Sequence, residues 1–520
     1  MTDAPRNVSD LLAATAARLP DKPALIFRDR PVAYADVEFR VGRTAAALAG
    51  LGVGNGDRVA LLLGNIPEFV YAFYGTLRAG GVASPLNVML TPEEIGYILA
   101  DSGAKVVVCE IGTLPTVLAV RDRLSSLEHV LVVGGPPAPK GTEAFESVLE
   151  RAGEPPQVET SEDDLAVIAY TSGTTSSPKG AMLTHRNLLS NLEQMEGVAL
   201  LAEAEQDVVL LVLPLFHIYA LNVILGLTMK VGATAVLVER FDPAEAMELI
   251  ARHGCTVLFG APPMYVAWLS LPPGEYDLSS IRLAVSGAAP LPGEVLQAFR
   301  DRFGTTIWEG YGLTETAPAV TSNAIGEVAK PNSIGLPLPG VELRIVDEHD
   351  EEVLEDDPGE ILVRGPNLFA GYWNRPEETE AVIRDGWFHT GDVAYRDDDG
   401  YLFIVDRKKD LIIVSGFNVF PKEVEDAIAS HPRVAEAAVV GVPDERTGEA
   451  VKALVVVAPG QSISEEELAD HLHGTLARFK WPRIIEFVTE LPKLPTGKVL
   501  RRALRGEELL GETELEVPAP

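Results

Sequence analysis

Residues 170–180 read Tyr-Thr-Ser-Gly-Thr-Thr-Ser-Ser-Pro-Lys-Gly, and the apolar run Leu165–Tyr170 leads directly into them. From Thr171 to Ser177 every side chain is small or carries a hydroxyl, a composition that packs poorly in a core and disfavours a helix. Backbone N–H groups and hydroxyls can instead wrap an anion, and Lys179 adds positive charge. The lysine is not followed by Ser or Thr, which excludes a Walker loop. The stretch therefore predicts a phosphate-binding loop of another kind, with a flexible surface turn as the alternative.

The chain on both sides of this loop alternates short apolar runs with helical patterns. This alternation predicts an α/β multidomain protein whose parallel sheets carry helices on their faces. A helix is predicted at Pro67–Ala79. The predicted strands are Arg58–Leu63, Lys105–Cys109, Leu165–Tyr170, Asp207–Leu213, Ala233–Val238, Val257–Gly260 and Leu283–Ser286.

The pattern changes near Gly340, where shorter strands alternate with Asp/Gly turns and indicate an antiparallel or barrel-like region. A further compact unit follows Asp406, with a helix predicted from Pro421. We therefore place the main boundary at residues 407–409. The predicted domains are residues 1–405 and residues 406–520.

Composition limits the classes of partner. With 520 residues, 47% hydrophobic and 23% charged, the chain is typical of a globular protein of several structural units. A net charge of −33 disfavours nucleic acid as a partner. Cys109 and Cys255 are too few for a disulfide framework and indicate a reducing, cytoplasmic location. The first residues lack a basic segment followed by an apolar core, so no secretory signal is predicted.

One apolar stretch is long enough to span a membrane. Val208–Met229 contains no Asp, Glu, Lys or Arg. Pro214 and His217 interrupt it, however, which favours a buried strand followed by a buried helix. We therefore predict no transmembrane segment.

Four further motifs carry groups that nucleotide chemistry needs. Glu309–Thr316 reads Glu-Gly-Tyr-Gly-Leu-Thr-Glu-Thr and combines an aromatic ring, hydroxyls and carboxylates that could stack a base and hold Mg²⁺. Trp387–Asp392 ends in a carboxylate suited to two sugar hydroxyls. Asp406–Asp410 is a charged run, and Pro492–Lys498 presents a lysine in a loop framed by proline and glycine. Each motif is weak alone, but five in this order are specific.

With these motifs the chain resembles the adenylate-forming superfamily, which includes acyl-CoA synthetases, adenylation domains of peptide synthetases and luciferases. The resemblance extends from about Arg58 to Arg502. It implies a large N-terminal domain of two sheet-and-helix lobes plus a distorted β-barrel, and a small mobile α+β C-terminal domain. ATP, Mg²⁺ and coenzyme A are the implied cofactors and co-substrates.

The resemblance also implies roles for individual residues. Lys498, Thr314 and His217 would be catalytic, with Lys498 acting in the first half-reaction. Glu315 would bind Mg²⁺ and Lys409 would be the hinge between the domains. The residues that would bind ATP or CoA are Thr171, Ser172, Gly173, Thr174, Thr175 and Lys179 at the β- and γ-phosphates, Ser286, Gly287, Ala288, Glu309, Gly310 and Tyr311 at adenine, Asp392 and Arg407 at the ribose, and Ser415, Gly416 and Phe417 along the pantetheine tunnel.

The identity of the acid follows from the implied acyl pocket. Leu213–Asn222 contains no acidic residue to pair a substrate ammonium, which disfavours a free amino acid. Gly312 stands where acetate-specific relatives carry Trp, so the acid should be longer than acetate. The motif His217-Ile-Tyr219 resembles that of coumarate–CoA ligases, which act on hydroxycinnamates. Trp308, however, would crowd an aromatic ring. We predict a medium- or long-chain fatty acid, with a hydroxycinnamate-like aryl acid as the alternative.

The acceptor of the acyl group, the oligomeric state and membrane contact are left open by the sequence. A carrier-protein phosphopantetheine could replace free CoA as the acceptor. The chain could be a monomer or a homodimer, and peripheral membrane contact is possible. A kinase or ATPase is the alternative from another class, and it would release ADP instead of AMP and pyrophosphate.

Overall fold

The computed structural model of the protein describes residues 5–134, 139–171, 178–272, 274, 276–326, 328–407, 410, 412–414, 417–444, 447–473, 476, 478–493, 499 and 501–504. These residues form two compact units. The first contains the described residues up to Glu342 together with Arg364–Phe388. The second contains Leu343–Val363 together with the described residues from His389 onwards. The functional boundary at residues 407–409 stays a prediction.

The strands and α-helices of both units are numbered in chain order, and they alternate through most of the first unit. The strands are β1 Pro23–Phe27, β2 Arg30–Ala33, β3 Arg58–Leu62, β4 Val82–Pro85, β5 Val106–Glu110, β6 His129–Val133, β7 Glu143–Ala144, β8 Leu165–Thr171, β9 Lys179–Thr184, β10 Val208–Leu211, β11 Thr234–Leu237, β12 Val257–Gly260, β13 Leu283–Ser286, β14 Ile307–Gly312, β15 Ala319–Ser322, β16 Leu336–Pro337, β17 Glu342–Val346, β18 Gly359–Arg364, β19 Ile383–Arg384, β20 Trp387–Arg396, β21 Leu402–Arg407, β22 Ile412–Val414, β23 Phe417–Val419, β24 Val434–Asp444, β25 Gly448–Val457 and β26 Ile484–Val488. The α-helices are α1 Val8–Arg18, α2 Tyr34–Gly50, α3 Pro67–Arg78, α4 Pro92–Ser102, α5 Leu114–Arg121, α6 Phe145–Arg151, α7 His185–Glu196, α8 Leu227–Val231, α9 Pro243–His253, α10 Pro262–Leu269, α11 Gly293–Phe303, α12 Pro376–Val382, α13 Pro421–Ala429, α14 Glu465–His473 and α15 Arg501–Leu504.

Two sheets form the first unit. One has the strand order β7-β6-β5-β3-β4-β8-β9, parallel from β7 to β8 and closed by the antiparallel hairpin β8–β9. The other has the order β16-β15-β14-β13-β12-β10-β11-β1-β2, with parallel pairs from β14 to β1 and antiparallel pairs at both ends. Val106–Cys109 in β5 are all buried, as expected for a parallel strand covered on both faces. The predicted α/β fold with parallel sheets is confirmed.

The apolar stretch Val208–Met229 begins with the strand β10 and ends in a buried helix, as predicted. This helix starts as a π-helix at Tyr219–Gly226 and continues into α8. Within the described ranges, no helix is long and apolar enough to cross a membrane. π-Helical segments are rare in proteins, and those that occur are often found at functional sites.

The second unit is richer in antiparallel strands, as the sequence after Gly340 predicts. Strands β17, β18, β20 and β21 share one sheet, in which β20 and β21 run antiparallel. The other sheet has the order β23-β22-β25-β24, with β26 parallel beside β25. Val424 and Ile428 lie four residues apart on α13 and pack, with Leu468 of α14, into the core of this sheet.

Candidate active site

The hairpin β8–β9 brings the two ends of the predicted phosphate loop together. Thr171 and Lys179 are paired across the hairpin, and the Thr171 hydroxyl donates to the Lys179 carbonyl at 3.5 Å. The loop residues Ser172, Gly173, Thr174 and Thr175 lie outside the described residues. Lys179 is therefore fixed by the hairpin at the end of the loop, beside the strand that precedes it.

One aromatic side chain links Lys179 to the predicted magnesium ligand. The Lys179 ammonium forms an ion pair with Glu378 and lies 5.2 Å from the centre of the Tyr372 ring. The Tyr372 hydroxyl donates to Oε1 of Glu315 at 2.8 Å. Burial, and then the charge of Glu315, raises the pKa of Tyr372 above its usual value, so this hydroxyl stays a donor. The structure thus brings Lys179 and Glu315 to the same side chain.

Glu315 suits a magnesium ion that also binds substrate phosphates. It is buried in the 3-10 turn Thr314–Thr316, where Thr314 is half-buried. Across the described part of the chain, no cluster of three His, Cys, Asp or Glu residues is arranged to hold a metal. Mg²⁺ needs no such cluster, because it keeps waters and is commonly bound by one or two carboxylates plus phosphate oxygens. The single carboxylate of Glu315 is compatible with that chemistry.

The predicted adenine residues lie at the carboxyl ends of β13 and β14. These strands are parallel neighbours, and Ser286 is paired with Glu309. Ser286 is buried, and its hydroxyl has no hydrogen-bond partner among the described residues. Glu309 accepts the Leu291 N–H at 2.9 Å, and Ala288 has a left-handed φ of 71°. Tyr311 is half-buried at the end of β14. Sheet edges of this kind are the usual place for ligands in α/β folds.

Two glycines of the candidate site lie close to neighbouring groups. A Cβ added to Gly287 would lie 3.0 Å from the Tyr219 ring, so the adenine segment and the predicted acyl-pocket tyrosine are in direct contact. A Cβ added to Gly312 would lie 1.9 Å from the Pro318 carbonyl oxygen. Glycine is therefore required at 312 by the backbone itself. Replacing it with Trp would therefore move the backbone, a consequence that the sequence does not reveal.

The predicted acyl-pocket residues provide a neutral surface. His217 and Tyr219 have half-buried side chains, but the His217 Nε2 and the Tyr219 hydroxyl are buried atoms without a hydrogen-bond partner in the described part of the chain. Burial lowers the pKa of His217 to about 4, so the imidazole is uncharged at neutral pH. The Tyr219 ring packs edge-to-face on Phe259 at 6.1 Å. Trp308 is half-buried on β14, on the opposite face from Glu309.

The predicted ribose residues belong to the second unit. Asp392 and Arg407 are paired across β20 and β21, so their backbones are neighbours as the prediction requires. Asp392 is buried, and its N–H donates to the Thr390 hydroxyl at 3.1 Å.

Of the predicted pantetheine residues, Phe417 begins β23 opposite Val414. The side chains of Arg407 and Phe417, and all of Lys409, Ser415, Gly416 and Lys498, lie outside the described residues.

Residues 369–378 carry only a weak sequence signal, yet Tyr372 in this segment contacts both Lys179 and Glu315. Met182 in β9 exchanges backbone hydrogen bonds with Ala370 and Gly371, both at 2.9 Å. The Trp373 N–H donates to the Gly180 carbonyl at 2.8 Å. These bonds attach the segment to the strand that follows the phosphate loop. The only sequence signal is an aromatic pair, Tyr372 and Trp373, between a glycine and a proline.

A hairpin at the predicted phosphate loop, a carboxylate compatible with Mg²⁺ and a sheet edge suited to a base are the parts expected of a site for ATP. The fold and the site therefore define an adenylate-forming enzyme. The AMP-binding enzyme family model matches residues 12–373, and the AMP-binding enzyme C-terminal domain model matches residues 423–498.

Individual relatives cover nearly the whole chain. The long-chain-fatty-acid–CoA ligase of Bacillus subtilis (strain 168) is 38% identical, over 97% of this chain and 95% of that protein. The feruloyl-CoA synthase of Amycolatopsis sp. is 40% identical, over 91% of this chain and 93% of that protein. The crystal structure of ATP-bound MatB from Rhodopseudomonas palustris superimposes with a TM-score of 0.88 at 36% identity, covering 96% of this chain and 98% of that one. The chain belongs to the AMP-binding enzyme family, as an acyl-CoA synthetase of the adenylate-forming superfamily.

Proposed function

We propose that this protein uses ATP and Mg²⁺ to convert a medium- or long-chain fatty acid into an acyl-adenylate, and then transfers the acyl group to coenzyme A. The observation that carries the proposal is the contact of Lys179 and Glu315 with the same residue, Tyr372, beside a loop suited to phosphate. Support for a fatty acid comes from the similarity to the Bacillus subtilis ligase and from the uncharged surroundings of Tyr219.

In the first step, one anion must approach another. A carboxylate oxygen forms a bond to the α-phosphorus of ATP, and the bond from that phosphorus to the pyrophosphate oxygen breaks. Lys179 would neutralise the departing phosphates, Thr314 would hold the α-phosphate, and Lys498 would bridge the α-phosphate and the attacking carboxylate. Bound Mg²⁺, held by Glu315, would neutralise phosphate oxygens. Pyrophosphate is the first product.

In the second step, the sulfur of CoA attacks the acyl carbonyl, its proton passes to solvent, and the bond from the carbonyl carbon to AMP breaks, so that AMP leaves with the bonding electrons. Ser415, Gly416 and Phe417 would line the path of the pantetheine. The neutral His217 would face the acyl group without adding charge. Because the two steps need different groups at one carbonyl, we propose that the C-terminal domain rotates at Lys409 between them.

The decisive experiment measures pyrophosphate and AMP release across a panel of acids, with and without CoA. The panel contains acetate, medium- and long-chain fatty acids, hydroxycinnamates and amino acids. We expect the highest kcat/KM for medium- or long-chain fatty acids, and thioester only when CoA is present. ADP as the nucleotide product would contradict adenylation. Thioester formed on a phosphopantetheinylated carrier protein but not on CoA would contradict the assigned acceptor.

One observation favours an aryl acid as the second candidate. The buried Tyr219 hydroxyl has no hydrogen-bond partner in the described part of the chain, and the phenol of a hydroxycinnamate could supply one. An unsatisfied buried polar group costs about 1–3 kcal/mol, so such a substrate would gain affinity. The feruloyl-CoA synthase similarity points the same way. A higher kcat/KM for hydroxycinnamates than for fatty acids would select this candidate.

The division of labour between the two steps predicts the behaviour of Lys498→Ala. Acyl-adenylate formation should fall by at least about 100-fold, because the lysine stabilises charge only in that transition state. Thioester formation from added acyl-adenylate and CoA should stay near wild type. The matched control is Lys493→Ala in the same C-terminal segment, which removes a lysine paired with Glu436 at 2.7 Å. Equal loss of both half-reactions in Lys498→Ala would contradict the assignment.

A further inference from the structure

Residues 369–378 form a strap across the end of the phosphate hairpin. Besides its bonds to β9, the strap is held at its base by α4. The indole N–H of Trp373 donates to the Asp101 carbonyl at 2.9 Å, and Arg375 donates to the Asp101 carboxylate at 3.0 Å. The Tyr170 hydroxyl, on the strand before the phosphate loop, donates to the same carboxylate at 2.7 Å. The strap is thus fixed to both strands of the hairpin.

Tyr372 is the residue of the strap that reaches the reactive groups. Its side chain is 8% exposed, and its N–H donates to the Thr379 hydroxyl at 2.9 Å. Its ring packs edge-to-face on Phe369 at 4.9 Å, and the Phe369 N–H donates to the Glu315 carbonyl at 2.8 Å. Backbone and ring contacts therefore restrict Tyr372 before its hydroxyl meets the Glu315 carboxylate. A restrained donor can fix a carboxylate in one orientation.

We infer that Tyr372 is a positioning residue that orients the Glu315 carboxylate for Mg²⁺ and holds Lys179 beside it, so that metal and lysine meet the same ATP phosphates. The inference rests on the proposed function and deepens it. One Glu315 oxygen accepts a hydrogen bond from the Tyr372 hydroxyl. This bond holds the carboxylate in an orientation in which it can bind a cation. The Lys179 ammonium lies over the face of the same ring, where a cation is attracted to the π-electrons. Tyr372 thereby contacts both the magnesium ligand and the lysine, while Glu378 of the same strap pairs with the Lys179 ammonium.

The test is Tyr372→Phe, which keeps the ring under Lys179 and removes only the bond to Glu315. The readout is the rise in melting temperature that a fixed ATP concentration produces as Mg²⁺ is titrated, with no acid or CoA present. Because hydrogen bonds to charged groups are among the stronger ones, the half-saturating Mg²⁺ concentration should rise about three- to tenfold. The small ATP effect without Mg²⁺ should stay unchanged, because Lys179 keeps its ring.

The matched control is Tyr34→Phe. Tyr34 is also a buried tyrosine, and its hydroxyl donates to the Ala233 carbonyl at 2.7 Å, away from Lys179 and Glu315. It should lower the melting temperature without moving the Mg²⁺ midpoint. An unchanged midpoint in a folded Tyr372→Phe protein would overturn the inference, as would an equal shift in both variants. Absence of any Mg²⁺·ATP effect in the wild type would instead overturn the proposed function.

Discussion

Glu203 has a protonation state set by burial rather than by a catalytic role. Its side chain is 7% exposed, and its Oε1 has no hydrogen-bond partner among the described residues. The Thr228 hydroxyl donates to the other oxygen at 3.4 Å. Burial, followed by the charge of Asp207, raises the pKa of Glu203 well above its usual value, while the Thr228 hydrogen bond and the charge of Arg282 act in the opposite direction. The folded protein therefore keeps a proton on Glu203 that the unfolded chain releases at lower pH.

This difference predicts the pH dependence of Glu203→Gln. Above the ordinary carboxyl pKa of 4.5 the unfolded chain has lost the proton and the folded chain has not. Wild-type stability therefore falls by about 1.4 kcal/mol per pH unit until the raised pKa is reached. Glutamine does not titrate, so the melting temperature of the variant should gain on the wild type as pH rises above 5, until the raised pKa of Glu203 is reached. Glu205→Gln, at a half-exposed carboxylate paired with Arg18, is the control and should show no such trend.

For single residues, the sequence predicts a functional role where the residue type and its immediate neighbours are sufficient to indicate the chemistry. Lys179 and Glu315 are recognisable because a cation ends a hydroxyl-rich loop and a carboxylate follows a glycine-rich strand. Tyr372 is not recognisable, because its role depends on a contact with Glu315, which lies 57 positions earlier in the chain. No local pattern encodes that contact. Tertiary packing creates it when residues 369–378 pair with β9.

At the scale of elements, α1 is attached to the rest of the first unit through its N-cap. The N-cap is Asn7, whose side-chain oxygen accepts the Ser9 N–H and whose own N–H donates to the Asp10 carboxylate. The Asn7 amide also donates to the Leu77 carbonyl at 2.9 Å, at the end of α3. One short side chain therefore begins α1 and binds it to a second helix.

Asn7→Ala should lower the melting temperature more than an ordinary cap deletion does. Loss of a cap costs about 1 kcal/mol, and the variant also loses the amide's two long-range bonds, to the Leu77 carbonyl and to the Thr160 hydroxyl, at about 0.5–1.5 kcal/mol each. Thr91→Ala is the matched control, because Thr91 caps α4 on the exposed surface and its hydroxyl makes only local bonds within the described residues. Thermal unfolding should show at least twice the loss for Asn7→Ala. Equal losses would mean that the bond to α3 contributes nothing.

Helices and strands were predictable where the hydrophobic pattern of the sequence matches the burial in the fold. They were less predictable where backbone geometry determines the type of helix or the path of the chain. The strands β3, β12 and β13 follow from apolar runs bounded by turn residues, because parallel strands are buried on both faces. The π-helix Tyr219–Gly226 does not follow from the sequence, since an apolar run looks the same for either helix type. The approach of Gly312 to Pro318 is equally hidden, because it depends on how the chain returns from β14 to β15.

At the scale of the whole molecule, charge is divided unevenly along the chain. Of the net −33, residues 406–520 contribute only −5, from 15 basic and 20 acidic residues. The rest of the chain repels ATP and CoA over long range, so binding depends on local cations. Two of the candidate cations, Arg407 and Lys498, lie in this less acidic segment. We propose that movement of the C-terminal domain decides which cations reach the anionic substrates in each step.

Lys409→Pro tests that movement. If Lys409 is the hinge, its φ and ψ differ between the adenylating and thioester-forming arrangements, and proline fixes φ near −65°. We expect acyl-adenylate formation, measured by pyrophosphate exchange, to stay within about threefold of wild type, while acyl-CoA production falls by at least about 100-fold. Lys409→Ala is the matched control, because it removes the charge and keeps the torsional freedom, and it should run both steps at nearly wild-type rates. If the alanine variant loses acyl-CoA production as severely as the proline variant, the charge of Lys409 matters and the hinge assignment is wrong. An equal loss of both half-reactions in Lys409→Pro would also remove the hinge, since a torsional lock that favours one arrangement must spare one step.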